Sequence, residues 1–185
     1  MHPNPDLLLK KAKEYDHQAL AEIYDLFSGA LYAYAFKQVG KSQMAEDLVA
    51  ETFSRFLKAL ERGGGPDEHL RAYLYRITHN LITDSYRREP PPTLELDEET
   101  TPEEGTDPGS IVADMQVAER VRSALRLITP EQRQVIVLKF LEGWSGPEIA
   151  QAMEKSLGSI KALQHRGLAA LQRILLENKH PQIPE

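Results

Sequence analysis

Residues 90–107 divide the chain. They read Pro-Pro-Pro-Thr-Leu-Glu-Leu-Asp-Glu-Glu-Thr-Thr-Pro-Glu-Glu-Gly-Thr-Asp, with seven acidic residues, four prolines and not one Lys or Arg. Prolines interrupt helices, like charges repel, and so few apolar side chains cannot bury enough surface to offset the entropy of ordering. The stretch is predicted to be an extended acidic linker, mobile in the free protein. Whatever folds must therefore do so in the 89 residues before it and the 78 after it.

Both flanks carry helical periodicity. Asp16 can cap a helix bearing Leu20, Ile23, Tyr24, Phe27, Leu31, Tyr34 and Ala35, spaced by three and four, and Gly40 closes it. Ser42 can cap a second helix with Ala45, Leu48, Val49, Phe53, Phe56, Leu57 and Leu60, stopped by Gly63-Gly64-Gly65-Pro66. A third runs from about Glu68 to Arg88, with Leu70, Tyr73, Leu74, Ile77 and Leu81 inward. After the linker, Asp107-Pro108 places a cap before a proline at the first helical position, and Leu125 and Ile128 end that helix's apolar stripe. Thr129-Pro130-Glu131-Gln132 and Ser145-Gly146-Pro147-Glu148 are capping boxes. The first opens Val135–Leu141, the second a short helix with Ile149, Ala150 and Met153. A last helix from near Ser156 carries Ile160, Leu163, Leu168, Leu171 and Ile174. No strand pattern competes, so the expected fold is all-α: helical domains at 1–89 and 108–178, the linker at 90–107 and a disordered tail at 179–185.

The net charge of −6 is spread unevenly: −1 over residues 1–89, −7 over the linker and +2 beyond it. Phosphate neutralisation supplies most non-specific DNA affinity, so any DNA role of an acidic chain must be local or partner-assisted. No apolar run approaches the roughly 18 residues of a membrane span, and the amino terminus has no basic region before an apolar stretch, as a secretory signal would have. The absence of cysteine excludes disulfides and thiolate chemistry and fits a cytoplasmic protein. The six histidines show no metal-ligand spacing, and Gly63-Gly64-Gly65 lacks the Lys-Ser/Thr of a phosphate-binding loop. No catalytic residue, metal or cofactor is expected.

A capped short helix, a tight turn and a longer helix with an apolar inner stripe, from Ser145 to about Leu176, form a helix-turn-helix pattern whose second helix can lie in a DNA major groove. Its outer face would present Ser159, Lys161, Ala162, His165 and Arg166. Arg can pair two-pronged with guanine, Lys and Ser can reach phosphates or bases, and Ala can meet a thymine methyl. The same face would also suit the solvated side of an ordinary bundle.

Four motifs then carry a resemblance. Thr129-Pro130-Glu131-Gln132-Arg133 through Leu141-Glu142-Gly143-Trp144-Ser145, with Glu148-Ile149-Ala150, Ser159-Ile160-Lys161 and Gln164-His165-Arg166, resembles the C-terminal domain of extracytoplasmic-function (ECF) sigma factors of the sigma-70 family. Ala45-Glu46-Asp47-Leu48-Val49-Ala50-Glu51-Thr52-Phe53 resembles the family's polymerase-docking helix, and Tyr73-Leu74-Tyr75-Arg76-Ile77-Thr78-His79-Asn80-Leu81 its promoter-melting helix. The resemblance implies an alternative sigma factor that binds RNA polymerase core and directs promoter-specific initiation. It implies that Asp47, Glu51 and Ser54 meet the β′ clamp helices, with the β flap as a further contact and an anti-sigma factor as a possible partner. It implies that the Gly63–His69 loop and Asn80 hold an unpaired minus-ten base, that His69, Arg71, Arg76, Arg87 and Arg88 serve the same strand, and that Ser159, Lys161, Ala162, His165 and Arg166 read the minus-thirty-five duplex. A structural alternative for Asn80 is a buried amide bonding local backbone; for Tyr73, where the family usually has Trp, it is a core position. Departures are Ala50 in place of a frequent Gln, Leu163-Gln164 in place of Arg-Leu, and Glu154 at a turn position where Gly is common. The helix-turn-helix alone would also fit a stand-alone regulator with a sensing or dimerising amino-terminal domain, or, more weakly, a protein–protein adaptor.

Overall fold

The computed structural model of the protein describes residues 5–88 and 108–177, with side chains in the second stretch from Met115 onward. The linker, the tail and the Asp107 cap lie outside the described residues. Eight α-helices and one π-helical turn make up the described residues, which contain no strand.

In the first half, α1 (Pro5–Lys13) and α2 (His17–Val39) are joined by a turn in which Asp16 Oδ1 accepts from the backbone N–H of Gln18 (2.9 Å) and Ala19 (3.0 Å). This satisfies two donors that a helix start leaves unpaired. Helix α2 ends at Gly40, whose φ of 73° is a conformation glycine adopts without steric cost. Helix α3 (Ser42–Glu61) begins one residue earlier than the expected cap implies: Lys41 holds the extended cap geometry with no side-chain bond. Ser42, already helical, turns its hydroxyl to Glu46 Oε1 (3.3 Å) and Tyr32 OH (3.0 Å) instead. Helix α4 (Leu70–Arg88) starts later than the expected Glu68, because His69 takes φ 60° and cannot continue a right-handed helix back to Glu68. The helices close on Ile23, Leu31, Tyr34, Ala45, Phe56, Leu74 and Ile82. Buried Thr52 and Thr78 link α3 to α4 through their hydroxyls (3.0 Å), each also donating or lying close to a carbonyl one turn back.

In the second half, α5 (Pro108–Leu127), α6 (Pro130–Ile136), α7 (Gly146–Ala152) and α8 (Leu157–Glu177) pack around Leu125, Val135, Leu138, Ile149 and Ile160. Both capping boxes form: Gln132 N–H to Thr129 Oγ1 with the reciprocal bond (both 3.3 Å), and Ser145 N–H to Glu148 Oε2 (2.7 Å) with Glu148 N–H to Ser145 Oγ (3.4 Å). The helix expected over Val135–Leu141 stops being α-helical at Ile136 and widens into a π-helical turn, Val137–Leu141. Helix α8 also differs from expectation at Leu168, which is exposed. Gly167, four residues after buried Leu163, takes the inner position, and a Cβ there would stand 3.2 Å from Ile136 Cγ1. Tyr24 and Leu57 likewise lie partly in solvent.

The halves are not tethered by the linker alone. They meet along a seam between the C-terminal end of α2 and one side of α4, on one hand, and α5, α6, the π-turn and α7 on the other, and their buried apolar residues form a single continuous core.

Candidate nucleic-acid interface

The recognition helix is set by its two neighbours. Helix α7 ends at Ala152 with Met153 as its cap, Glu154 makes the turn at φ 53°, and Ser156 Oγ accepts from Ser159 N–H (3.2 Å) at the start of α8. Ile160, Leu163 and Gly167 face inward, so Ser159, Lys161, Ala162, His165 and Arg166 stand together on the exposed face. Arg166 Nε donates to the Ala162 carbonyl (3.3 Å), laying its guanidinium along that face. Leu163 is buried and Gln164 half-buried, so the inner stripe survives the altered order.

On α4, Asn80 is exposed, and its amide holds no partner among the described residues. That removes the alternative of a buried amide bonding local backbone. The buried polar residue is instead its neighbour His79, whose Nδ1 lies 3.1 Å from Tyr34 OH and Nε2 3.4 Å from Thr83 Oγ1. Burial, and then the Arg133 charge, push its pKa down to about 3, against an opposing bond with the Pro130 backbone. Tyr73 is half-buried, edge-on to Phe56 (6.2 Å between centroids). The preceding loop is braced from α1: Lys13 Nζ reaches Asp67 Oδ1 (2.7 Å), and that bond lowers the Asp67 pKa. His69 is exposed, 3.6 Å from the Glu68 carboxylate.

The arginines expected to serve the same strand divide into two groups. Arg87 and Arg88 are exposed at the end of α4, Arg87 only loosely near Asp84 (3.9 Å). Arg71 and Arg76 are engaged by the other half of the chain: Arg71 stacks over the Trp144 ring at 4.2 Å, and Arg76 pairs with the Glu154 carboxylate. Sequence reasoning marked Glu154 only as an odd turn residue and Trp144 only as part of a motif; neither was tied to α4.

Sequence reasoning also missed the rest of the seam. Lys37 Nζ donates to the Leu141 carbonyl (3.1 Å) and Glu142 Oε1 (2.9 Å), while Tyr75 OH donates to Glu142 Oε2 (3.2 Å). Burial, reinforced by the Glu142 charge, pushes the Tyr75 hydroxyl up to about 12. Arg126 Nη2 donates to the Val39 carbonyl (3.1 Å), a cation at the negative end of α2. Arg133 is buried over the Tyr86 ring at 4.4 Å, and burial lowers its pKa.

A third face lies on α3. Asp47, Glu51 and Ser54 fall at helical spacing on one side. Asp47 is exposed and accepts from Gln43 Nε2 (3.3 Å); half-exposed Glu51 accepts from Arg55 Nε (2.8 Å), which lowers its pKa; Ser54 is half-buried.

Comparison with known proteins accounts for the paired helical units. Residues 23–90 match Sigma-70 region 2, and residues 118–171 match Sigma-70, region 4. The chain belongs to the ECF sigma factors of the sigma-70 family. Among its curated relatives, the ECF RNA polymerase sigma factor SigL of Mycobacterium tuberculosis is 31% identical over 84% of this chain and 88% of its own length. SigW of Bacillus subtilis is 29% identical over 90% of this chain and 94% of its own. BldN of Streptomyces coelicolor is 31% identical, and there the match spans 64% of the relative's length. Among solved structures, CnrH in complex with the cytosolic domain of CnrY superposes with a TM-score of 0.68 at 25% identity, covering 92% of this chain and 96% of that one. RpoE from Bartonella quintana, solved with the anti-sigma factor NepR, shares the fold at a TM-score of 0.58 and 24% identity, covering 84% and 95%. The two sigma factor regions and these relatives favour the initiation-factor reading over the stand-alone regulator. Members of this family are transcription initiation factors rather than enzymes, and they bind RNA polymerase and promoter DNA. No helix among the described residues is long and apolar enough to cross a membrane, and no group of three or more His, Cys, Asp or Glu among them could hold a metal ion.

Proposed function

We propose that this sigma factor divides its work among three faces: α3 on polymerase core, α4 with its preceding loop on the minus-ten strand, and α8 on the minus-thirty-five duplex. The observation that carries the reading is the open polar face of α8, where Ser159, Lys161, Ala162, His165 and Arg166 project from a helix packed only on its other side. Arg166 and Lys161 there supply the bidentate and point-charge donors that base edges and phosphates accept. Exposed Asn80 offers both a donor and an acceptor to the Watson–Crick edge of an extruded base, and the Gly63–His69 loop leads into the helix that carries it. Asp47, Glu51 and Ser54 form an acidic helix face suited to basic clamp helices, and the carboxyl-terminal unit would take the β flap. The domain limits of 1–89 and 108–178 follow from this division. The chain acts in the cytoplasm with polymerase, without catalysis or cofactor, and an anti-sigma factor is a partner class consistent with its structural neighbours.

The test is run-off transcription with core polymerase on promoter fragments, with and without the chain. Promoter-specific transcripts that require the chain are expected. A chain that neither binds core enzyme nor yields such transcripts would overturn the proposal.

A further inference from the structure

Helix α1 lies outside the residues that match Sigma-70 region 2, which begin at Ile23, and none of the three faces proposed above includes it. Its inner side is fixed: Leu8, Leu9 and Ala12 are buried where α1 packs on α2 and α4. Its last turn carries Lys10, Lys11 and Lys13, cations at the negative end of the helix. Lys13 does more than answer that end. Its ammonium reaches 54 residues along the chain to Asp67 Oδ1, at 2.7 Å.

The loop it reaches is anchored at both ends and nearly bare between them. Helix α3 closes with Gly63 N–H on the Leu60 carbonyl (2.8 Å) and Gly64 N–H on the Ala59 carbonyl (2.9 Å), a paired termination that fixes the loop's first residues. At the other end Tyr73 N–H bonds the His69 carbonyl (3.1 Å), and Leu70 is buried. On the way the backbone is left-handed at Gly63, Gly65 and His69, with φ of 69°, 96° and 60°. The last of these disfavours a side chain, and such a conformation persists only where its surroundings over-determine it. Among the described residues, the Lys13–Asp67 bond is the one hydrogen bond or ion pair that joins residues 65–68 to a helix. It also answers a charge problem: Asp67 is almost fully exposed, and a bare carboxylate beside a DNA strand would repel the phosphates, whereas a paired one is neutralised.

We propose that Lys13 is a positioning residue for minus-ten recognition: through Asp67, α1 holds the Gly63–His69 loop in the shape that receives the extruded base. This rests on the function proposed above and adds to it a residue from a helix that the family match leaves out. Lys13 acts on the loop, not on the strand.

Two measurements test it. The first needs no polymerase. In the free full-length chain, nitrogen-15 relaxation should give the Gly65, Asp67 and Glu68 amides order parameters near the roughly 0.85 of rigid backbone, and Lys13→Met should lower them to about 0.6 or below while the amides of α2 and α4 stay unchanged. The exchange Lys13→Glu with Asp67→Lys should restore them. A loop already loose in the unaltered chain, or one indifferent to Lys13→Met, would overturn the brace whether or not the chain directs transcription.

The second measurement is permanganate footprinting of the holoenzyme on promoters altered at one minus-ten position at a time. Lys13→Met should reduce the preference for the native base at one such position about two- to fivefold, the scale of one exposed ion pair, with core affinity and minus-thirty-five preference unchanged. Lys13→Arg, which keeps the charge, should keep the preference. A merely structural role would slow opening on every template alike. That uniform loss, or an unaltered preference in Lys13→Met, would overturn the positioning role and leave the sigma function standing. Absence of promoter-specific opening with the unaltered chain would overturn both.

Discussion

Two neighbours on α4 carry opposite duties. Asn80 is exposed and unpaired among the described residues, so Asn80→Ala should alter stability by less than about 0.5 kcal/mol, as surface substitutions usually do. It should leave core binding and closed-complex formation intact and slow strand opening, and a template mismatched at the minus-ten element should recover the rate. Permanganate footprinting of the holoenzyme on both templates checks this; wild-type opening with unchanged base preference would make Asn80 irrelevant to melting. His79 is buried and held neutral by burial and by the Arg133 charge. A histidine whose folded-state pKa is depressed costs nothing above its ordinary value near 6.5, where both states are neutral, and destabilises the packed form as pH falls from there toward 3. At pH 5.5 the loss should be on the order of 1 kcal/mol. Urea unfolding at pH 7.5 and 5.5 should show this loss, and His79→Gln should flatten the difference.

Helix α3 presents a carboxylate face to solvent opposite the stripe that builds the core, so its surface can be rewritten without touching the fold. Asp47→Lys with Glu51→Lys should weaken co-purification with core polymerase at least about tenfold, as expected when like charges meet a basic surface, and leave the circular dichroism spectrum unchanged. Unchanged affinity would remove α3 from the docking role. Helices of this kind were legible in the sequence because their signals are local: three-and-four spacing, the Asp16 cap, the Gly40 stop and both capping boxes operate within a few residues of themselves. The outer face of α8 was legible for the same reason. The π-helical turn was not, since nothing in Val137–Leu141 breaks the apolar pattern of an ordinary helix. The start of α4 was placed too early because the left-handed turn at His69 is taken by a residue with no strong preference for it. The seam was invisible, because Lys37 and Glu142 lie 105 residues apart and Arg76 and Glu154 lie 78 apart. In isolation Lys37 and Glu142 carry no local signal of a partner, Arg76 reads as a DNA contact and Glu154 as an unusual turn residue.

At the scale of the whole molecule, the seam joins the two family regions through one buried core. The Arg76–Glu154 pair is largely exposed on the Glu154 side and contributes about 0–1 kcal/mol. Burying one large aromatic contributes more, about 1.5–3 kcal/mol. The packing of Trp144 against Tyr75, ring centroids 4.8 Å apart, therefore supplies more of the seam's stability, and the ion pairs set its register. Calorimetry of the free chain should give a single unfolding transition. Adding Trp144→Ala to the reversal of both seam carboxylates, Glu142→Lys with Glu154→Arg, should split it into two, since each half retains its own helices and caps. A single transition in that variant would mean that the halves are bound by more than these contacts.

Trp144 is the chain's one tryptophan, and it is buried in the seam with Arg71 over its ring. The molecule therefore carries an intrinsic optical gauge of its own conformation. With the seam packed, the indole is buried beneath the Arg71 guanidinium, so its emission should be blue-shifted and shielded from iodide. Withdrawal of the carboxyl-terminal unit from α4 would bring that ring into water, moving the emission to the red and opening it to the quencher. Separation of the halves can thus be timed by stopped-flow mixing of the unlabelled chain with urea.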